Sequence, residues 1–205
     1  MGARGSEVRK IGIMVSGRGT NMEALIQATR APDYPARVAL VIASREQAPA
    51  LFRARQAGIE ALYIPGRGSA WEQEALDLIE DRDLELICLA GFMRILSPKF
   101  IQEAPPIMNI HPSLLPAFPG LNAQQQALDY GVKVSGCTVH FVDQGVDSGP
   151  IILQAGVPVK EGDGVEELSR RILQAEHQIY PRAVELWARD ALEIEGRRVH
   201  IREEK

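Results

Sequence analysis

The feature that most constrains this chain is a repeating alternation of apolar, strand-like runs with segments of helical periodicity. Residues 10–15, 38–43 and 60–64 read as strands, and 22–29, 49–57 and 71–81 as the helices that follow them. In the first helix Met22, Leu25 and Ile26 share one face, and Gly58 closes the second. Residues 84–90 form a near-continuous apolar run, which suits a strand covered by helices on both faces. Strands joined through helices run parallel with right-handed crossovers, so a parallel α/β sheet is expected. Residues 98–103 predict a short helix, and 107–110 the next strand. The pattern changes after a Pro-rich loop over 112–120 and a helix over 122–130. Residues 136–142 and 151–159, joined by a short turn, read as antiparallel neighbours and make the sheet mixed. Asp163 is placed to cap a long helix reaching Arg189, kinked or interrupted at Pro181. Residues 191–194 and 198–201 fit a terminal hairpin around Glu195-Gly196, and residues 1–9 and 202–205 are expected to be loose.

With 205 residues, 45% hydrophobic and 24% charged, the chain can bury one good core, so a single domain over 1–205 is expected. A net charge of −4 argues against nucleic acid or an anionic membrane as partner, because neither is drawn to an acidic surface. Cys88 and Cys137 lie in apolar runs and read as buried free thiols in a cytoplasmic protein. The four histidines, at 111, 140, 177 and 200, have no metal-ligand spacing, so no metal is expected. Composition leaves the oligomeric state open.

Chemistry concentrates where the predicted fifth strand ends. Alternate strand residues point to one face, so Asn109 and His111 can present an amide donor and an imidazole side by side, as an oxyanion-stabilising pair. Asp147 sits in a Gly-bracketed turn, Gly145-Val146-Asp147-Ser148-Gly149, that can hold a carboxylate beside the imidazole and fix its tautomer. No Ser stands in a G-x-S-x-G elbow and neither Cys has an activating neighbour, so the trio suggests acyl-type transfer without a protein nucleophile. A histidine at a strand end is equally at home as a structural residue. Ser16-Gly17-Arg18-Gly19-Thr20-Asn21 puts two glycines at a helix N-terminus, where backbone N–H groups and the helix dipole favour a phosphate. A dinucleotide fingerprint would need a Gly where Met22 stands and an acidic residue where Ser44-Arg45 stand, which disfavours NAD. The loop also reads as a plain turn with Thr20 as N-cap. His140 alternates in register with Thr138 and Val142 as a buried, hydrogen-bonded residue near Asp147, and His177 as packing or surface polarity.

Three segments in this order carry a resemblance. They are Ala90-Gly91-Phe92-Met93-Arg94-Ile95-Leu96-Ser97-Pro98, then Asn109-Ile110-His111-Pro112-Ser113-Leu114-Leu115-Pro116, then Val139-His140-Phe141-Val142 leading to Val146-Asp147-Ser148-Gly149-Pro150. Together they resemble the folate-dependent formyltransferase superfamily, over about residues 10–190, and within it the phosphoribosylglycinamide formyltransferases. The resemblance implies a Rossmann-like formyltransferase fold. It implies transfer of a formyl group from the cosubstrate 10-formyltetrahydrofolate to the amine of 5-phosphoribosylglycinamide in purine synthesis, with Asn109, His111 and Asp147 catalytic and no metal. It implies that Gly19, Thr20 and Asn21 hold the substrate's ribose 5-phosphate and that Glu176 grips its ribose hydroxyls. The folate pocket would be lined by Met93, Arg94, Ile95 and Leu96, with main chain against the pteridine edge and Met93, Ile95 and Leu96 as apolar walls. Asn109 also borders this pocket, and the 143–147 loop closes its other side. Arg67 stands one position off the relatives' register for an arginine that meets the folate tail, and Asn122-Ala123-Gln124-Gln125 departs from a His-bearing version. Rival readings are methionyl-tRNA formyltransferase, formyltetrahydrofolate deformylase, and a ligand-binding module without catalysis. The first two carry an extra domain for which this chain has no room.

Overall fold

The computed structural model describes residues 8–202. Among them, β1 (Arg9–Val15), β2 (Ala36–Ala43), β3 (Glu60–Tyr63), β4 (Leu86–Leu89), β5 (Ile107–His111), β6 (Val134–Phe141), β7 (Ile151–Pro158), β8 (Leu192–Glu195) and β9 (Arg198–Ile201) form one sheet. Its order is β3-β2-β1-β4-β5-β6-β7-β9-β8. The first five strands are parallel, β6 is antiparallel to both β5 and β7, as the change of pattern after residue 130 implies, and β7 pairs with β9 in parallel. The helices are α1 (Thr20–Ala28), α2 (Pro49–Gln56), α3 (Ser69–Asp81), α4 (Pro98–Glu103), α5 (Ala123–Tyr130) and α6 (Val165–Ala188). None is long and apolar enough to cross a membrane.

Right-handed crossovers assign the helices to faces. The chain steps outward through β1, β2 and β3, then returns past β1 to β4, so α1 and α2 cover one face and α3 and α4 the other. Two cores result. Ile11, Ile13, Leu86 and Cys88 pack with Met22, Leu25, Ile172, Tyr180 and Val184, while Met14, Ile87 and Leu89 pack with Trp71, Ile79, Leu96 and Phe100. Burial on both faces is why β4 lacks polar alternation. The reversal of direction between β1 and β4 makes a topological switch point, and in open α/β sheets ligands bind at the carboxyl ends of the strands there.

Several local expectations are corrected. The N-cap of α6 is Gly164, not Asp163. Asp163 accepts from the Lys160 N–H at 2.6 Å and pairs with Arg171, which draws its carboxylate away from the helix end, and Glu167 accepts from the Gly164 N–H instead. The helix runs through Pro181 unbroken. An interior proline costs about 3 kcal/mol, but Leu168, Ile172, Tyr180, Ala183 and Val184 are fully buried along α6, and a large apolar side chain contributes about 1.5–3 kcal/mol. Packing wins. Gly19, in a left-handed conformation, caps α1, and Thr20 is its first helical residue rather than its cap. Arg9 is not loose: it bonds Glu85, Asp190 and the Trp187 carbonyl. Arg202 is anchored too, through its N–H to Ala191 and its guanidinium to Glu193. Residues 1–7 and 203–205 lie outside the described residues.

Candidate active site

Ser16, the first residue beyond β1, organises the switch point. Its hydroxyl lies 2.6 Å from that of Ser44 at the end of β2 and accepts from the Met93 N–H at 2.8 Å, and its own N–H reaches the Gly91 carbonyl. One serine thereby joins the loops after β1, β2 and β4. The Gly-rich loop stands at the mouth of α1, and its Gly17 carbonyl accepts from Ala50 N–H. Gly19 has φ of 80°, and a Cβ there would lie 2.7 Å from that of Ala50, so both conformation and close approach require glycine.

Asn21, on the first turn of α1, turns inward and donates from Nδ2 to Glu176 Oε2 at 2.7 Å. The structure therefore joins two residues that sequence reasoning placed around one sugar phosphate from positions 155 apart. Burial pushes the Glu176 carboxyl up to about 7, against the Asn21 hydrogen bond that lowers it. His177 beside it is half-buried and held toward its neutral form by desolvation.

In the loop after β4, Met93 and Ile95 are exposed at 63% and 88%, an apolar shelf at the carboxyl end of the sheet. Leu96 differs from expectation. Its side chain is buried with Trp71 and Phe100, so it offers a ligand main chain and not an apolar wall. Arg94 folds back, donating to the Ser44 carbonyl at 2.7 Å and lying over the Trp71 ring. Burial, then the positive charge of Arg67, lower its pKa.

The catalytic candidates meet at the end of β5. His111 Nδ1 is 3.3 Å from Asp147 Oδ2, and His140 Nε2 is 3.8 Å from Asp147 Oδ1. Asp147 holds φ of 50°, and a Cβ on Gly149 would strike the Phe141 carbonyl at 1.8 Å, which is why glycine follows the carboxylate. Asp147 Oδ2 also accepts the Gly120 N–H at 2.7 Å. His140 is buried and donates from Nδ1 to the Phe141 carbonyl at 2.8 Å. Burial holds it below its ordinary pKa, toward the neutral ring, so Nε2 is free to accept from Asn109 Nδ2 at 3.2 Å. That contact orients the amide and leaves its second N–H available.

His111 is more engaged than the strand pattern suggests. Its Nε2 lies 2.9 Å from the Phe118 carbonyl, so each ring nitrogen faces an oxygen acceptor and the neutral ring can satisfy only one. Phe118, Gly120, His140 and Ser16 are the neighbours of these candidates that sequence reasoning left unassigned or in support. Their partners lie up to 77 residues away, and no local periodicity reports such contacts. Cys88 and Cys137 are buried free thiols, each pushed up to about 12 by burial, which keeps them from acting as nucleophiles. Among the described residues no group of three or more His, Cys, Asp or Glu could hold a metal ion.

The formyl transferase family matches residues 9–184. A trifunctional purine biosynthetic protein adenosine-3 of Gallus gallus is 47% identical over 90% of this chain, which spans only 19% of that protein's length. Phosphoribosylglycinamide formyltransferase of Haemophilus influenzae is 39% identical over 95% of this chain and 94% of its own length. The crystal structure of glycinamide ribonucleotide transformylase 1 from Symbiobacterium toebii superposes with a TM-score of 0.92 at 51% identity, covering 98% of this chain and 96% of that one. With the family pattern, a relative matched along nearly its whole length and the same fold in agreement, the chain belongs to the formyl transferase family, among its phosphoribosylglycinamide formyltransferases.

Proposed function

We propose that this protein transfers the formyl group of 10-formyltetrahydrofolate to the amine of 5-phosphoribosylglycinamide, working as one formyltransferase domain in the cytoplasm. The observation that carries the reading is the convergence of Asn109, His111, His140 and Asp147 at the end of β5, beside the switch-point loops. The Gly-rich loop and Glu176 hold the sugar phosphate, and the 93–96 shelf with Asn109 and the 143–147 loop holds the pterin. The amine attacks the formyl carbon directly, and the carbonyl oxygen becomes an oxyanion. Asn109 donates its free N–H to that oxygen. His111 donates once it exchanges the Phe118 carbonyl for the oxyanion, so the 112–120 loop must yield during turnover. Asp147 accepts the proton of the attacking amine, directly or through water, and the departing folate nitrogen takes it up as the carbon–nitrogen bond breaks. Neither a metal nor a covalent enzyme intermediate is required. Holding two substrates end to end supplies much of the rate by proximity.

The test supplies both substrates and measures formyl-amide and free formate. Formyl-amide formed only when the amine is present supports transfer. Formate released at the same rate without the amine makes the protein a deformylase instead.

A further inference from the structure

The Asn21 side chain is not spent on the helix mouth where a phosphate would sit. It is 9% exposed, turned into the interior, and its Nδ2 donates to Glu176 Oε2 while its Oδ1 has no donor. Glu176 is 6% exposed and makes that one hydrogen bond. An amide and a carboxylic acid complement each other in two hydrogen bonds, amide N–H to acid oxygen and acid O–H to amide oxygen. A protonated Glu176 therefore supplies the kind of donor Asn21 Oδ1 lacks, and an ionised one does not.

The surroundings favour the neutral acid. Cys137 on β6 and Cys88 on β4 are thiols, and Tyr180 on α6 keeps its hydroxyl proton, donating to the Leu89 and Met108 carbonyls. His177, next along α6, is held toward neutrality, and Glu23 on α1 is paired with Arg53. None offers a cation to Glu176. Burial without a counter-charge raises its pKa, in agreement with the geometry.

We infer that Asn21 is a positioning residue for Glu176, orienting a carboxyl that its apolar surroundings keep as the neutral acid until the sugar hydroxyls of the substrate arrive, and that their binding releases its proton. This rests on the substrate reading above. Two hydroxyl donors satisfy a carboxylate better than an acid, so the Glu176 O–H bond breaks, the proton passes to solvent, and the anion accepts both ligand hydrogens. No other bond changes. Affinity for the amine substrate then improves as pH rises through neutrality, apart from any titration of the substrate itself.

The experiment is calorimetry with ribose 5-phosphate at pH 7 in two buffers of different ionisation enthalpy, on the intact protein and on Glu176→Gln. Subtracting the variant removes protons carried by the ligand phosphate. The expected result is about half a proton more released by the unaltered protein, since a group whose pKa lies near the working pH is about half protonated. A carbon-13 titration of the Glu176 carboxyl, in the unaltered protein and in Asn21→Ala, gives the second reading. A midpoint near neutrality that moves in Asn21→Ala, with KM for phosphoribosylglycinamide raised several-fold and kcat retained, supports the assignment. A midpoint in the ordinary carboxylate range, or one unmoved by Asn21→Ala, overturns it. Binding with equal proton counts overturns the inference and leaves the substrate reading standing, whereas no binding by the unaltered protein overturns that reading and the inference with it.

Discussion

Replacing the two glycines of the first loop separates its structural role from its role in binding. At Gly19 an alanine would have to adopt φ of 80°, which costs an L-residue about 1–2 kcal/mol. Its Cβ would also stand 2.7 Å from Ala50 Cβ and 3.2 Å from Ala50 Cα, where a fully buried helix start has nowhere to go. Overpacking of that kind adds about 1–3 kcal/mol. Together these lower Tm by roughly 4–20 °C in a domain of this size, and any change in KM then mixes folding with binding. Gly17 is the cleaner probe. Nothing lies within 4 Å of its added Cβ, and its φ is not in the left-handed region. Gly17→Ala should leave the melting curve within about 0.5 kcal/mol of the parent, yet place a methyl group at the α1 mouth. The expected result is a KM for phosphoribosylglycinamide raised about tenfold or more, with the affinity for a folate analogue unchanged. An unchanged KM at unchanged Tm refutes the phosphate cradle, and a Gly19→Ala protein as stable as the parent refutes the packing argument.

Other outcomes follow from single side chains. Asn109→Ala and His111→Ala should each lower kcat by about a hundred-fold or more with the fold retained, as loss of an oxyanion donor does; parental turnover in either removes that residue from the chemistry. Because the folded pKa of Glu176 lies above its unfolded value, its contribution to stability is complete below the usual carboxylate range and is lost as pH rises through about 7. Chemical denaturation should accordingly show Glu176→Gln gaining on the parent by up to about 3 kcal/mol between pH 4 and 8, and parallel curves would contradict the buried acid. Tyr180→Phe removes a fully buried hydroxyl that donates to the ends of β4 and β5 and should cost about 1–3 kcal/mol in a urea melt.

Most strands and helices were legible because alternation and apolar runs are local signals, and the parallel order followed from crossover handedness. The errors arose where side chains choose partners across space. Asp163 has the right identity for a cap, but Arg171 and the Lys160 N–H hold it one residue early. Pro181 should disturb a helix, but the buried face of α6 holds it. At the site, Asn109, His111 and Asp147 could be named from spacing and resemblance. The Phe118 carbonyl on His111, the Gly120 N–H on Asp147 and the His140 contact to Asn109 could not, since each depends on how the 112–120 loop and β6 return over β5.

The claim that most needs testing is that Asp147 acts by its charge. Asp147→Asn keeps the shape of the turn and an oxygen facing Gly120, while removing the carboxylate from His111 and from the attacking amine. Single-turnover formyl transfer, with the folate analogue affinity and the melting curve measured on the same preparation, isolates that change. The account expects transfer slowed by about a thousand-fold or more with folding and both substrate affinities within a few-fold of the parent. Transfer at the parental rate, with the same pH profile, would reduce Asp147 to a turn residue and contradict the mechanism.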